Sequence, residues 1–137
     1  MKTKNLQIQN NISELHRINQ VIDSLFEEWK LPEKSKFRVV LAVEEVFANI
    51  IKYAYDDLQE QTIDLEFAFE NDNLTIQILD DGKPFNPLLY NSKSEIRKPA
   101  DKKQPGGIGI HIIKSVMNEV NYQRKNGRNI LTLKKSF

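Results

Sequence analysis

The chain contains no cysteine, which excludes disulfide bonds and thiolate metal sites. It also lacks an excess of one charge: 20 basic and 19 acidic residues leave a formal charge of +1. This balance gives no electrostatic reason to expect nucleic acid or a membrane as the main partner. The most apolar stretch, residues 39–51, is interrupted by charged and amide side chains, and the polar first ten residues lack the apolar core of a secretory signal. We therefore expect a cytoplasmic protein.

The composition is that of a globular domain, with 39% hydrophobic and 28% charged residues. A length of 137 residues suits one hydrophobic core, so we predict a single domain over residues 1–137. Alternation at Leu6 and Ile8 predicts a first strand, and helical spacing predicts helices over 12–29 and from about 33 to Tyr55. Asn11 or Ser13 is expected to cap the first helix.

The second half of the sequence contains two predicted hairpins and a long loop between them. Residues 63–69 and 74–78 alternate around a turn at 71–73, and residues 120–124 and 129–133 flank Asn126-Gly127. Residues 81–107 contain four prolines, and a third helix follows from about Gly107 to Asn118. The order β-α-α-β-β-loop-α-β-β predicts an α+β fold: a two-layer sandwich with a mostly antiparallel mixed sheet of about five strands and three helices on one face.

The first candidate motif lies on the second helix, where Glu45 and Asn49 are one turn apart and interrupt an apolar surface. A buried amide and carboxylate need partners, and a hydrated divalent cation with a polar ligand would supply them. Asn offers a carbonyl oxygen to such a cation, and Glu can act as a general base. A solvated helix face that also includes Glu44 explains the same residues.

The second motif is Asp80-Asp81-Gly82-Lys83-Pro84-Phe85, directly after a buried strand. An Asp at a strand end can accept a hydrogen bond from an exocyclic amine such as that of adenine, and Gly82 would allow close approach to a flat ring. An ordinary turn has the same composition.

The third motif is Gly106-Gly107-Ile108-Gly109 at the start of the third helix. Glycines at a helix N-terminus expose backbone N–H groups, which favours phosphate binding. Because glycine destabilises a helix, three glycines among four residues indicate a specific requirement for glycine at these positions.

Together these motifs resemble the N, G1 and G2 boxes of the Bergerat-fold (GHKL) ATPases, which are shared by gyrase, mismatch-repair, chaperone and histidine-kinase domains. The small size and the runs over residues 45–55 and 80–87 are similar to those of bacterial anti-sigma-factor serine kinases. The resemblance covers essentially the whole chain. It implies ATP and Mg²⁺ as cofactors, a mobile ATP lid over about residues 86–106, and a homodimer.

The resemblance also implies a role for each motif residue. Asn49 would be the magnesium ligand, Glu45 the catalytic base, and Asp80 the acceptor for the adenine amino group. The remaining nucleotide-binding positions are Gly82, Pro84, Phe85, Gly106, Gly107, Ile108 and Gly109. Two positions depart from the family pattern: Pro84 stands where the wider superfamily often has Gly, and Tyr53 where several relatives have His.

The implied activity is that of a serine/threonine-protein kinase. It would transfer the γ-phosphate of ATP to a serine of a small anti-sigma-factor antagonist protein and would bind a sigma factor or similar regulator. Two alternatives remain: a non-catalytic, ATP-modulated protein-binding module, and a histidine-kinase catalytic domain, for which His16 and His111 are the only histidines. We interpret most of the basic loop residues as solvated, although any could contact phosphate: Lys93, Arg97, Lys98, Lys102 and Lys103.

Overall fold

The computed structural model describes residues 1–55, 60–89 and 106–137, and the predicted element order is confirmed. Two short 3₁₀ helices, Ile12–Glu14 and Pro87–Leu89, add to the predicted elements. The helices and strands are β1 Lys2–Gln9, α1 Leu15–Glu28, α2 Glu33–Tyr53, β2 Thr62–Glu70, β3 Asn73–Asp80, α3 Gly106–Val116, β4 Glu119–Lys125 and β5 Arg128–Ser136.

The five strands form one sheet in the order β1-β2-β3-β5-β4. The sequence pattern predicted a mostly antiparallel mixed sheet, whereas all four pairings in the described residues are antiparallel. Two-residue turns close both hairpins, with positive φ at Asn71, Asp72, Asn126 and Gly127. Asn, Asp and Gly tolerate this left-handed conformation, which matches the twist of the flanking strands.

The helices begin and end close to the predicted positions. Of the two predicted candidates, Asn11 is the cap of the first helical segment, because its Oδ1 accepts a hydrogen bond from the Ser13 N–H at 2.9 Å. Helix α2 begins directly after Pro32 and ends at Tyr53, two residues earlier than predicted.

A single core lies between one face of the sheet and the three helices. The strands contribute every second residue, as alternation requires, and α1 and α2 contribute positions three and four apart. Because apolar burial is the dominant favourable term in folding, this layer fixes the helices over the sheet. The largest fully buried side chains include Phe26, Phe47, Phe67, Ile22, Leu65 and Ile76.

Helix α3 is anchored at its C-terminal end. The Lys135 Nζ donates to the Val116 carbonyl at 2.9 Å, and the Asn118 N–H donates to the Lys134 carbonyl at 2.8 Å. The first of these bonds satisfies a carbonyl that a helix end leaves unpaired. Together they hold α3 beside α2, with which it packs. Within the described ranges, no helix is long and apolar enough to cross a membrane.

Candidate functional site

A narrow pocket, partly open to solvent, lies between α2, the end of β3 and the β4–β5 hairpin. Its walls are mainly apolar, and the buried polar groups in it come from β3 and β5. Such a combination of apolar walls with a few placed polar groups is typical of small-molecule sites. The lining residues are Val46, Ile50, Asp80, Phe85, Pro87, Tyr122, Asn129 and Leu131.

Asp80 is the buried carboxylate of this pocket, with 1% of its surface exposed. Its Oδ1 accepts hydrogen bonds from the Gly82 N–H at 2.8 Å and from Asn129 Nδ2 at 2.9 Å. Burial raises the pKa of Asp80 above its ordinary value, while these two bonds and the charge of Arg124 oppose that rise. Both bonds end on one oxygen, so the carboxylate keeps accepting capacity at the other.

Asn129 is the site residue that the sequence motifs missed. It lies on β5 directly opposite Asp80 and is 3% exposed. A signal for it exists in the sequence: Asn129 occupies an inward position of the alternation that continues with Leu131 and Leu133. A polar residue at a core-facing position requires a satisfied hydrogen-bond network.

Gly82 has a structural role that differs from the one predicted. A Cβ at this position would lie 2.4 Å from the carbonyl oxygen of Ala54, the C-cap residue of α2. The same carbonyl accepts a hydrogen bond from the Lys83 N–H at 2.8 Å. We call this contact the α2–β3 joint. The glycine is therefore required by the close approach of two backbones, whether or not it also lies beside a ring.

Replacing Gly82 with Ala is expected to destabilise the protein by about 1–3 kcal/mol, because the methyl group overlaps backbone atoms that cannot rotate away. Urea unfolding measures this change. Gly127→Asn is the matched control: Gly127 has a φ of 75°, which Asn tolerates, and a Cβ added there would have no neighbour within 4 Å. Equal stability of Gly82→Ala and the wild type would contradict the proposed role of the joint.

Phe85 and Pro84 have different positions relative to the pocket. Phe85 lines it and stacks on Tyr53, with ring centroids 5.3 Å apart and an interplanar angle of 29°. Pro84 is exposed and does not line the pocket. Tyr53, which stands where several relatives of the resembled family have His, thus supports an aromatic wall of the site.

Asn49 and Glu45 lie on α2 beside the pocket-lining Val46 and Ile50 but do not themselves line the described pocket. Asn49 is 1% exposed, and its Oδ1 has no hydrogen-bond partner among the described residues. Glu45 is half-buried, and burial raises its pKa, which the charge of Lys52 partly offsets. A buried amide oxygen without a partner is costly, so this atom has the property expected of a ligand-binding group.

Glu44 differs from its neighbour Glu45. The Asn19 Nδ2 of α1 donates to Glu44 Oε2 at 3.1 Å, so Glu44 joins two helices. This contact gives Glu44 a structural role between the two helices.

The glycine motif forms the first turn of α3, which begins at Gly106, one residue earlier than predicted. The four predicted phosphate-binding residues, Gly106, Gly107, Ile108 and Gly109, are therefore at a helix N-terminus. The 3₁₀ helix Pro87–Leu89 is the described start of the predicted lid. Residues 90–105 of the predicted lid, which include its five basic residues, lie outside the described residues.

Comparisons with curated proteins give relatives that are named kinases. The chain is 29% identical over 98 residues to the serine/threonine-protein kinase BtrW of Bordetella bronchiseptica, covering 72% of this chain and 68% of that protein. It is 31% identical over 98 residues to the serine-protein kinase RsbW of Bacillus mycoides, covering 69% of this chain and 60% of that protein. The match thus spans about two thirds or less of the length of these relatives.

Solved structures also share the fold. The RsbU and RsbW domains of a Mycobacterium tuberculosis protein align with a TM-score of 0.70 at 14% identity, covering 99% of this chain and 32% of that one. A chain of the SiaB–SiaC complex of Pseudomonas aeruginosa aligns with a TM-score of 0.59 at 15% identity, covering 96% of this chain and 89% of that one. Residues 8–135 match the family described as the histidine kinase-like ATPase domain. Since this match covers nearly the whole chain, and the fold agrees, the protein belongs to the histidine kinase-like ATPase domain family.

Proposed function

We propose that the chain is a serine protein kinase that binds Mg·ATP and transfers the γ-phosphate to a serine of a small anti-sigma-factor antagonist protein. The observation that carries the proposal is the combination of buried Asp80 in an apolar pocket with the unpartnered amide oxygen of Asn49 on the adjacent helix. The names of the relatives, serine-protein kinase and serine/threonine-protein kinase, support the choice of acceptor.

Asp80 is proposed to recognise the adenine ring. Its Oδ1 is occupied by two donors, so Oδ2 accepts the hydrogen bond from the exocyclic amine. Val46, Ile50 and Leu131 form apolar walls for a flat base. We expect this end of the pocket to determine which nucleotide binds.

Asn49 is proposed to bind the magnesium ion. No cluster of three or more acidic, His or Cys residues able to hold a metal occurs in the described part of the chain. This fits magnesium, which usually takes one or two protein ligands together with substrate phosphates and water. The metal, when bound, would neutralise charge that develops on the phosphates.

Glu45 is proposed as the general base. Its carboxylate would take the proton of the serine hydroxyl as the oxygen forms a bond to the γ-phosphorus, while the bond to the β–γ bridging oxygen breaks and ADP leaves. The raised pKa of Glu45 brings its basicity closer to that needed near neutral pH. The N-terminus of α3 would face phosphate through Gly106, Gly107 and Gly109.

The proposal includes the partners implied by the family: an antagonist protein as substrate, a sigma factor or similar regulator as a bound partner, and a second copy of the chain in a homodimer. A cytoplasmic location is part of the same proposal. Transfer of labelled γ-phosphate to a serine of an antagonist protein is the direct test. Mg·ATP binding without any transfer would favour the ATP-modulated binding module instead.

Replacing Asn49 with Ala is expected to weaken Mg·ATP binding on the order of ten- to a hundredfold, because a ligand of the metal is lost. Calorimetry with and without magnesium measures this change. Binding of ATP in EDTA should differ little from the wild type, since the adenine contacts remain. The control is Asn121→Ala, a change at an exposed residue of β4.

Two outcomes would contradict different parts of the proposal. An equal loss of binding with and without magnesium would contradict the metal-binding role of Asn49. No binding of ATP to the wild type at millimolar concentration would overturn the proposed ATP-dependent mechanism.

A further inference from the structure

We infer that Asn129 is a positioning residue that gives the pocket its preference for adenine over guanine, by holding Asp80 with one oxygen saturated and the other available as an acceptor. This inference rests on the proposed nucleotide-binding function. Asn129 belongs to none of the three sequence motifs and lies on β5, about fifty residues after Asp80. Its role is derived from the hydrogen bonds that surround it.

The amide of Asn129 can adopt only one orientation. Its Nδ2 donates to Asp80 Oδ1 and to the Lys83 carbonyl, both at 2.9 Å. Its Oδ1 accepts from three donors: Arg124 Nη1 at 3.1 Å, the Phe85 N–H at 3.3 Å and the Tyr122 hydroxyl. A rotated amide would direct its NH₂ group at three donors and its oxygen at two acceptors. The network therefore fixes which atom faces Asp80.

The fixed amide in turn fixes Asp80. Oδ1 receives one bond from Asn129 and one from the Gly82 N–H, and the Arg124 Nη1 holds the Gly82 carbonyl at 2.7 Å. The carboxylate is thus connected on one side to β5 and on the other to its own loop. Rotation about its side chain would break two hydrogen bonds in a buried site, which is costly.

Adenine and guanine differ at the group that a fixed acceptor would meet. Adenine has an exocyclic amine at C6, which donates, whereas guanine has a carbonyl there, which accepts. An ionised carboxylate oxygen attracts the first and repels the second. A site that accepts a hydrogen bond from one base discriminates against a base with an acceptor at the same position, and more strongly than an apolar pocket can.

The hydrogen-bond network around Asp80 also favours the ionised form of its carboxylate, against the effect of burial. Burial raises the pKa of Asp80, and the bonds from Asn129 and Gly82 and the charge of Arg124 lower it, while Asp81 raises it. The residues that α2 contributes to the pocket, Val46 and Ile50, are apolar. Burial raises the pKa of Tyr55, just after α2, to about 12, so its hydroxyl stays neutral. The Arg128 side chain donates hydrogen bonds to Asp64 and Asp81.

The test compares ADP and GDP binding by calorimetry for the wild type and Asn129→Leu between pH 6 and 8. We expect wild-type preference for ADP and, in the variant, roughly tenfold weaker ADP binding with GDP affinity changed less than about threefold. The variant's ADP affinity should also fall as the pH is lowered, because Asp80 without its donor protonates more readily. The wild-type affinity should change less over the same range.

Two further variants keep the test decisive. Tyr122→Phe removes one donor to the amide and leaves the ring, so it should lower the ADP-to-GDP ratio by about two- to fivefold if Asn129→Leu does not fold. Gln77→Leu is the matched control, because Gln77 makes a cross-strand bond to Thr132 away from the pocket and should leave the ratio unchanged.

An unchanged ADP-to-GDP ratio in folded Asn129→Leu or Tyr122→Phe would overturn this inference and leave the proposed function intact. An equal loss of both nucleotides would also overturn it, because that pattern indicates a structural role alone. A wild type that binds neither nucleotide would overturn the proposed function together with this inference.

Discussion

Replacing Asp80 with Asn should abolish most ATP binding and, at neutral pH, stabilise the unliganded protein. The amide oxygen of the new side chain can still accept from the Gly82 N–H and Asn129 Nδ2, so the local fold has its hydrogen bonds. The group facing the base becomes a donor, however, and meets the adenine amine, which is also a donor. Loss of a hydrogen bond to a charged group predicts a decrease in affinity on the order of ten- to a hundredfold.

The stability change follows from the direction of the pKa shift. Burial raises the pKa of Asp80 in the folded protein, so the folded state binds its proton more tightly than the unfolded state does. Protonated Asp80 contributes its full stability to the fold below the pKa of the unfolded state, near 4. This contribution is lost as the pH rises through the higher pKa of the folded state. At neutral pH, the wild type therefore carries a desolvated charge that Asp80→Asn lacks.

Thermal unfolding from pH 4 to 8, without nucleotide, measures this difference. The variant should gain in melting temperature relative to the wild type as the pH rises, and the difference should shrink in acid. Wild-type ATP affinity in Asp80→Asn would contradict the assigned role of the carboxylate. A loss of stability at every pH would indicate that the amide does not fit the network.

Replacing Glu45 with Gln should reduce the rate of phosphoryl transfer by about 10²–10⁴-fold while leaving the ATP dissociation constant within about threefold of the wild type. The amide has the size of the carboxylate but cannot take the proton of the serine hydroxyl. Single-turnover transfer from γ-labelled ATP to an antagonist protein measures the rate, and calorimetry measures the affinity.

Adjacent Glu44 provides the control for this experiment. It accepts a hydrogen bond from Asn19 and joins α1 to α2, so Glu44→Gln should retain transfer within about threefold. Loss of transfer in both variants would point to a disturbed helix instead of a missing base. Full activity of Glu45→Gln would exclude Glu45 as the base.

The sequence predicted the order and type of the elements because their patterns are local. Alternation in β2 and β3, helical spacing in α2, and the Asn-Gly turn near the end of the chain each depend on neighbouring residues only. The three site motifs are also local, since each lies within a few residues. The family resemblance drawn from them is confirmed by the match over residues 8–135.

The contacts between distant parts of the chain could not be predicted in the same way. Asn129 meets Asp80 because β5 pairs with β3 in one particular register, which the spacing of apolar residues within a strand does not specify. The contact of Gly82 with Ala54 likewise depends on how the end of α2 packs on the loop after β3. The glycine was expected beside a ligand, whereas close packing of two backbones already requires it.

The α2–β3 joint also has a consequence for how the two halves of a nucleotide share their binding energy. Asn49 lies five residues before the joint on α2, and Asp80 lies two residues before it on the β3 side. Groups held at a fixed separation act as a chelating pair: once one end of a ligand binds, the other end meets its partner at a high effective concentration. A rigid joint should therefore make the whole nucleotide bind much more tightly than adenosine or Mg²⁺-triphosphate alone. Loosening it should reduce this advantage while leaving the affinity for each fragment nearly unchanged.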